Sequence, residues 1–482
     1  MNNDMNLKSK NKNFSEALVL KTSIWYTISN FLTRALVFIT TPIFSRLLTT
    51  KEFGEFHVFA NWQGTLIIIA SLEIHATLNR ARFDYGDKEE LNSYISSCLI
   101  VSTIITGVLF LGYLAFSDAV ERILLMDKSY IMIMFAYLFT RPAFEMFQIE
   151  QRVHYRYKLS AVISFVMIIF TSLLALFLAY KMHEERLYGR IIGQYIPYAI
   201  LGGIIYIYYI WRNHKLSLDK AKYAVKMAIP LVFSYLGGQI LLVSDKIIVQ
   251  HLSTAEAVAY LGIATTCSHI ILIFVQSLNN AWSPWFYDKL ALGENESIKK
   301  TFRIYLYFVI FCTFGVLLIG PEIVFILGGK EYEPSIFLLP ACLLSGPFTL
   351  LVSQFGAFEN FYKKTHYSAI ITSITACINV VLDIVGVRIW GYVAVCYVTV
   401  LCHIILIILH ICLTKKMGIL YIFPFSELMF EILVIVGMIP IVLLLYKNNL
   451  MRYLVLLIIL GIFAVILYKN RGKLIILIKE KL

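Results

Sequence analysis

Charge is scarce in this chain. Only 15% of its 482 residues are Asp, Glu, Lys or Arg, against 59% hydrophobic. A disordered chain is excluded by that balance, and a soluble globular one is strongly disfavoured. The eight cysteines (98, 267, 312, 342, 377, 396, 402 and 412) show no CxxC or metal-ligand spacing. All lie in apolar stretches and read as free thiols packing like small hydrophobes. HExxH, GxSxG, Walker A and aspartate-rich motifs are also missing, so no hydrolytic, nucleotide, metal or cofactor chemistry is implied. The opening MNNDMNLKSKNKNFSEALVL has no signal-peptide core or cleavage pattern, and insertion is expected to use the first apolar span.

What the chain has is apolar length. Leu91–Ser117, Leu159–Tyr180, Ala257–Tyr287 and Ile389–Thr414 are among its bilayer-length runs, and mean hydropathy is +0.76. About 20 apolar residues cross a hydrocarbon core of roughly 30 Å. Runs without period-2 alternation choose helices over barrel strands, because every amide in lipid needs an internal partner. The expected fold is an all-α polytopic membrane protein with about 14 transmembrane helices. The spans fall near residues 22–47, 53–78, 91–117, 129–150, 159–180, 188–211, 224–249, 256–284, 304–328, 335–360, 366–386, 389–413, 427–446 and 453–468.

The net charge of +12 is distributed as topology requires. With alternate sides assigned, 28 of the 42 Lys and Arg fall inside, 11 outside and 3 within spans. Excess cations in short cytoplasmic loops fix orientation, so both termini are expected in the cytoplasm. No basic folded face is available for nucleic acid.

The chain also repeats itself. Arg46-Leu47-Leu48-Thr49-Thr50-Lys51-Glu52-Phe53-Gly54-Glu55-Phe56 is echoed about 204 residues later by Gln250-His251-Leu252-Ser253-Thr254-Ala255-Glu256-Ala257-Val258-Ala259-Tyr260. Both segments join an odd span to an even one on the expected outer side. Six spans separate the copies, so the halves share an orientation, related by a pseudo-two-fold axis along the membrane normal. The expected organisation is a cytoplasmic segment 1–21, a six-helix lobe 22–211, a linker 212–226, a second six-helix lobe 227–413, a helical hairpin 414–468 and a basic tail 469–482.

Thr41-Pro42-Ile43-Phe44-Ser45-Arg46-Leu47-Leu48, the following Lys51–Phe56 turn, Ser244-Asp245-Lys246-Ile247-Ile248-Val249 and Leu252–Glu256 together resemble the polysaccharide transporter family. This family lies within the multidrug/oligosaccharidyl-lipid/polysaccharide flippase superfamily. The second copy departs from the pattern at Ala257-Val258. The resemblance implies a flippase moving undecaprenyl-pyrophosphate-linked repeat units of O-antigen, capsule or exopolysaccharide from the cytoplasmic to the periplasmic leaflet of a bacterial inner membrane. It also implies alternating access, H⁺ or Na⁺ as coupling ion, contact with membrane lipids, and glycan-assembly partners such as the polymerase. A drug exporter of the same superfamily and a membrane polysaccharide polymerase or ligase are the alternatives. Against an enzyme, the expected outer segments are about a dozen residues or fewer by the span assignment.

Ionisable groups within spans are functional candidates because hydrocarbon penalises them. At about 1.5 Å rise per residue, Arg34 sits roughly 20 Å into span 1, Arg141 roughly 18 Å into span 4, and His269 and His403 at about 18 and 21 Å. Two permanent cations in the first lobe suit a diphosphate, whose oxygens match the guanidinium fork. A helix–helix contact is the competing role for Arg34, and an intrahelical pair with Glu145 for Arg141. Pro142 beside Arg141 opens backbone hydrogen bonding locally. Glu73 and His75, with Arg80, Arg82 and Asp84, lie near the expected cytoplasmic mouth, to meet a head group or to anchor the span. Asp245 and Lys246 suit an outer gate. Glu145, Glu359 and Asp383 are candidate coupling carboxylates, and His410 is a weaker candidate. Tyr195, Tyr198, Tyr206, Tyr208, Tyr209 and Trp211 read as an interfacial belt or a sugar-stacking wall.

Overall fold

A computed structural model describes residues 36–85, 88–153, 157–212, 216–362, 364–418 and 423–461. All regular structure among them is helical. The protein is an all-α polytopic membrane protein. Ten described helices are long and apolar enough to cross a bilayer, or eleven if one bent pair counts as a single span. The first and last of the fourteen expected spans run into residues outside the described set.

Contacts divide the chain into two compact units, residues 1–259 and 260–482. Unit 1 begins with α1 (Leu36–Leu47) and α2 (Thr50–Ser71). The corner between them is a capping box: Thr49 accepts from the Glu52 amide, while the Glu52 carboxylate accepts from the Thr49 amide at 2.8 Å. This reciprocal bonding satisfies donors that every helix start exposes.

The second expected span, 53–78, is not one continuous helix. It breaks at Leu72 and Glu73, whose φ angles of 48° and 50° are left-handed. It then continues as a 3₁₀ turn, Ile74–Thr77, and α3, Leu78–Asp84. No Gly or Pro marks the break, so the sequence gives no local warning of it. Two consecutive non-glycine residues in that region hold conformational strain, which persists only where the surroundings enforce it.

Unit 1 continues with α4 (Lys88–Ala115), α5 (Ser117–Leu124), α6 (Lys128–Val153), α7 (Tyr157–Lys181), α8 (Arg186–Arg212) and α9 (Leu218–Leu252). Helices α5 and α6 meet at 90°. On α7, Val162, Val166, Phe170, Leu173 and Phe177 are all more than half exposed. Their helical spacing makes an apolar stripe directed outward, the inverse of a soluble amphipathic helix and the pattern expected in lipid. The other face of α7 carries Ala161, Ala175 and Ala179, all buried. There α8 comes so close that a Cβ on Gly193 would fall 2.4 Å from the Ala175 Cα. Small residues permit this approach, and dispersion between the backbones holds it.

Unit 2 takes in most of α10 (Ala255–Ala291), followed by α11 (Asn295–Leu318) and α12 (Gly320–Gly328). A 3₁₀ segment, Lys330–Phe337, leads to α13 (Leu339–Phe361), α14 (Thr365–Trp390) and α15 (Ala394–Lys416). The last described elements are α16 (Phe425–Leu445) and α17 (Asn449–Gly461). Helix α16 is pinned to α11 at both ends. Glu427 pairs with Arg303 and, at 3.0 Å, with Lys299. The Tyr446 hydroxyl donates to the Leu317 carbonyl at 2.7 Å. Gly320 makes room for that tyrosine, since a Cβ there would lie 2.7 Å from its hydroxyl.

Candidate functional site

Arg141 is the centre of the candidate site in unit 1. Midway along α6, it pairs with Glu145 one turn on. Its guanidinium carbon lies 4.8 Å from the Phe144 ring centroid, 4.9 Å from Tyr198 and 5.6 Å from Tyr137. A cation at mid-span costs about 3 kcal/mol on insertion scales. Three aromatic contacts at roughly 0.5–1 kcal/mol each, with the ion pair, offset that cost. The side chain keeps 20% exposure.

The break after α2 carries Glu73, 3.4 Å from His75, and the charge of Glu145 acts on Glu73. Arg141, Glu145, Glu73 and His75 thus form one polar region between an unwound segment and a proline-bearing helix. Irregular backbone at membrane depth is tolerated where it is buried in protein or lines a cavity.

The tyrosines of α8 divide by surroundings rather than forming one belt. Tyr195 is buried, 5.2 Å from Tyr137 and 5.0 Å from Phe59, and Tyr198 is part of the Arg141 cage. The Tyr209 hydroxyl donates to Glu150, and Tyr206 accepts from Thr103 at 2.9 Å. Only Tyr208 and Trp211 are exposed enough to face an interface. Phe59 also lines a cavity of about 620 Å³ rimmed by Glu55, Asp118, Glu121 and Asp127 against Lys51 and Arg122. An aromatic path therefore runs from this cavity through Phe59, Tyr195 and Tyr137 to Arg141.

Arg190 is a residue the sequence reading did not select. It is 6% exposed, with its guanidinium carbon 3.4 Å from the Phe56 ring centroid, 4.1 Å from Phe44 and 5.2 Å from Phe53. Its position at a span end made it look like one more outer charge. The aromatic residues of the repeated turn were the available signal, because they are its partners. Arg186 completes the lock by donating to the Leu47 carbonyl at 2.7 Å.

The two copies of the repeated turn meet within unit 1. A Cβ on Gly54 would fall 1.8 Å from the Ala255 carbonyl oxygen and 3.2 Å from the Ala259 nitrogen. Beside this contact, His251 places one ring nitrogen 2.9 Å from the Ile247 carbonyl oxygen and the other 2.9 Å from that of Ile123.

The remaining candidates are dispersed. Arg34 lies outside the described residues. Arg80 is exposed and pairs with Asp84 at 3.3 Å, while Arg82 stacks 4.4 Å over Phe83. Lys246 is buried, and its amide donates to Asp245 at 2.7 Å. In unit 2, His269 is exposed on α10. The Nδ1 of His403 sits 2.8 Å from the Thr399 carbonyl oxygen, and its ring stacks on Phe348. Glu359 and His410 form a wholly buried pair, 2.6 Å apart, with His410 stacked on Phe355. Sequence alone ranked His410 low because its partner is 51 residues away. Asp383 is fully buried one turn beyond Asn379, and both lie close to Cys402. Among the described residues no group of three or more His, Cys, Asp or Glu is arranged to hold a metal ion.

The fold is that of the MOP superfamily of flippases and multidrug transporters. It is similar to "Lipid II flippase MurJ, inward closed conformation", with a TM-score of 0.71 at 16% identity over 93% of this chain and 99% of that one. A "multidrug resistance MATE family transporter of the MOP superfamily" in an inward-facing conformation gives 0.58 at 15% identity, over 82% and 96%. Residues 19–289 match the family described as "Polysaccharide biosynthesis protein", more than half of the chain, and residues 230–385 match MatE. The chain belongs to the polysaccharide biosynthesis protein family. It is also 22% identical over 361 residues to Lsg locus protein 1 of Haemophilus influenzae (strain ATCC 51907 / DSM 11121 / KW20 / Rd), covering 70% of this chain and 84% of that one.

Proposed function

We propose that this protein is a flippase for lipid-linked glycan units. Its cargo is an undecaprenyl-pyrophosphate-linked oligosaccharide of O-antigen, capsule or exopolysaccharide, carried from the cytoplasmic to the periplasmic leaflet of a bacterial inner membrane. The observation that carries this reading is Arg141, a permanent cation at mid-span whose partners are one carboxylate and three aromatic rings. A diphosphate competes for that guanidinium with two or more charged oxygens where Glu145 offers one carboxylate. Tyr137 and Tyr198 give the adjoining sugars flat faces and hydroxyls.

The reading extends to mechanism. The 28-to-11 cation split supports cytoplasmic termini, and on that topology the Gly54–Ala255 contact would lie on the periplasmic side. Closure there, with the polar region of Arg141 and Glu73 deeper in unit 1, suits alternating access in a state shut toward the periplasm. Asp383 and Glu359, both without exposure, are the carboxylates we assign to coupling with H⁺ or Na⁺. A cationic-drug exporter is the competing reading, and movement of a cationic dye in proteoliposomes would favour it. The test is translocation of a polyprenyl-pyrophosphate glycan in proteoliposomes by wild type and Arg141→Ala. Loss of flipping in a folded variant supports the assignment; full activity removes Arg141 from the site.

A further inference from the structure

A second site lies in unit 2, where the turn between α16 and α17 meets α12 and the 3₁₀ segment after it. A cavity of about 990 Å³ opens there. Phe325, Ile326 and Phe337 line its wall, each more than half exposed. Its polar end holds Arg452, Lys447, Glu322 and Glu333.

Arg452 is only 1% exposed. Its Nη2 donates to Glu322 Oε1, which also accepts from the Tyr453 hydroxyl. Nε and Nη1 of Arg452 have no acceptor, and Glu322 Oε2 has no donor. Burying polar groups unsatisfied is costly, most of all for charged ones. The site therefore holds unspent donors on a cation and an unspent acceptor on an anion, side by side.

We infer that this cavity binds a zwitterionic aminophospholipid of the surrounding bilayer, with phosphatidylethanolamine as the matching chemistry. Its phosphate accepts from Arg452 and Lys447. Its primary ammonium donates to Glu322 and Glu333, and its acyl chains lie along Phe325, Ile326 and Phe337. Two cations facing two carboxylates give a simple anion or a simple cation no net attraction, whereas a zwitterion satisfies both. The exposed apolar wall, continuous with the polar end, selects a lipid over a free head group. The helix ends that frame the cavity put it where head groups sit. Occupancy would fasten the terminal helical pair to the rest of unit 2, a role separate from the cargo site at Arg141.

The experiment is native mass spectrometry and thermal shift on the purified full-length protein. Phosphatidylethanolamine, phosphatidylglycerol and phosphatidylcholine are titrated in turn, with free phosphoethanolamine as the fourth arm. Phosphatidylethanolamine should bind at one retained equivalent and raise the melting temperature. Phosphatidylglycerol, lacking the ammonium, and phosphatidylcholine, lacking its N–H donors, should bind about tenfold more weakly, the scale of one lost charge-assisted contact. Lys447→Ala and Glu333→Gln, both at exposed positions, should each weaken phosphatidylethanolamine selectively, and Arg452→Gln should abolish its retention. If Arg452→Gln fails to fold, the two exposed variants decide the matter. Equal binding of the three lipids, unchanged binding in both exposed variants, or equal stabilisation by free phosphoethanolamine would each overturn the proposal.

Discussion

The Cα of Gly54 packs against the carbonyl of Ala255 with no room for a side chain between them: a Cβ on Gly54 would lie 1.8 Å from that oxygen. The obstacle is backbone, so no rotamer change can relieve it. Gly54 belongs to the first copy of the repeated turn and Ala255 to the second. Their contact joins the two copies of the repeat, and under the proposed alternating-access cycle it is the seam that would open and close.

Gly54→Val should prevent that seam from closing, because overpacking commonly costs about 1–3 kcal/mol and a fixed carbonyl cannot yield. Glycan transport should fall sharply while membrane insertion is kept. A cysteine placed at Lys51, beside the acidic cavity, should react faster with a membrane-impermeant thiol reagent in the Gly54→Val background. Unchanged labelling and unchanged transport would show that the seam does not move.

Arg141→Lys separates charge from shape. Lysine keeps the cation but loses the planar fork that stacks on rings and pairs with phosphate oxygens. We expect transport to drop at least tenfold, a difference of about 1.4 kcal/mol, with expression unaffected. Tyr198→Phe keeps the ring contact and should cost less than Tyr198→Ala, measured as surface glycan in a complemented strain.

Much of this was legible in the sequence. Apolar run length gave the helices, and Arg141 with Glu145 stood four residues apart in a span, a spacing that α6 converts directly into a pair. The break at Leu72–Glu73 was hidden because tertiary packing, not glycine or proline, enforces it. The Arg190 cage and the Glu359–His410 pair were hidden because their partners come from distant helices, which periodicity along one helix does not report. The α8 tyrosines looked alike in sequence and separate only once α4, α6 and α7 choose which faces of α8 are covered.

Glu359 and His410 can be tested as a buried pair. Removing one partner of such a pair typically costs about 3–5 kcal/mol, whereas replacing both by apolar groups is far milder. Glu359→Ala should therefore lower the melting temperature in detergent more than the double change Glu359→Leu with His410→Leu. If the double change cost as much as Glu359→Leu and His410→Leu added together, the two side chains would be acting independently.

Asp383→Asn keeps volume and removes a carboxylate that has no exposure. If it serves coupling, transport should lose its dependence on an imposed ion gradient while downhill exchange of cargo survives. Preserved gradient dependence would pass the coupling role to Glu359 or to the unit 1 carboxylates.

The most direct test of the central claim is translocation of a polyprenyl-pyrophosphate oligosaccharide in proteoliposomes, comparing wild type, Arg141→Ala and Arg141→Lys at equal reconstitution. Wild type should flip the glycan in a protein-dependent way, Arg141→Lys should lose most of that activity, and Arg141→Ala should abolish it. Flipping by Arg141→Ala at the wild-type rate, or movement of a cationic dye in place of the glycan, would contradict it.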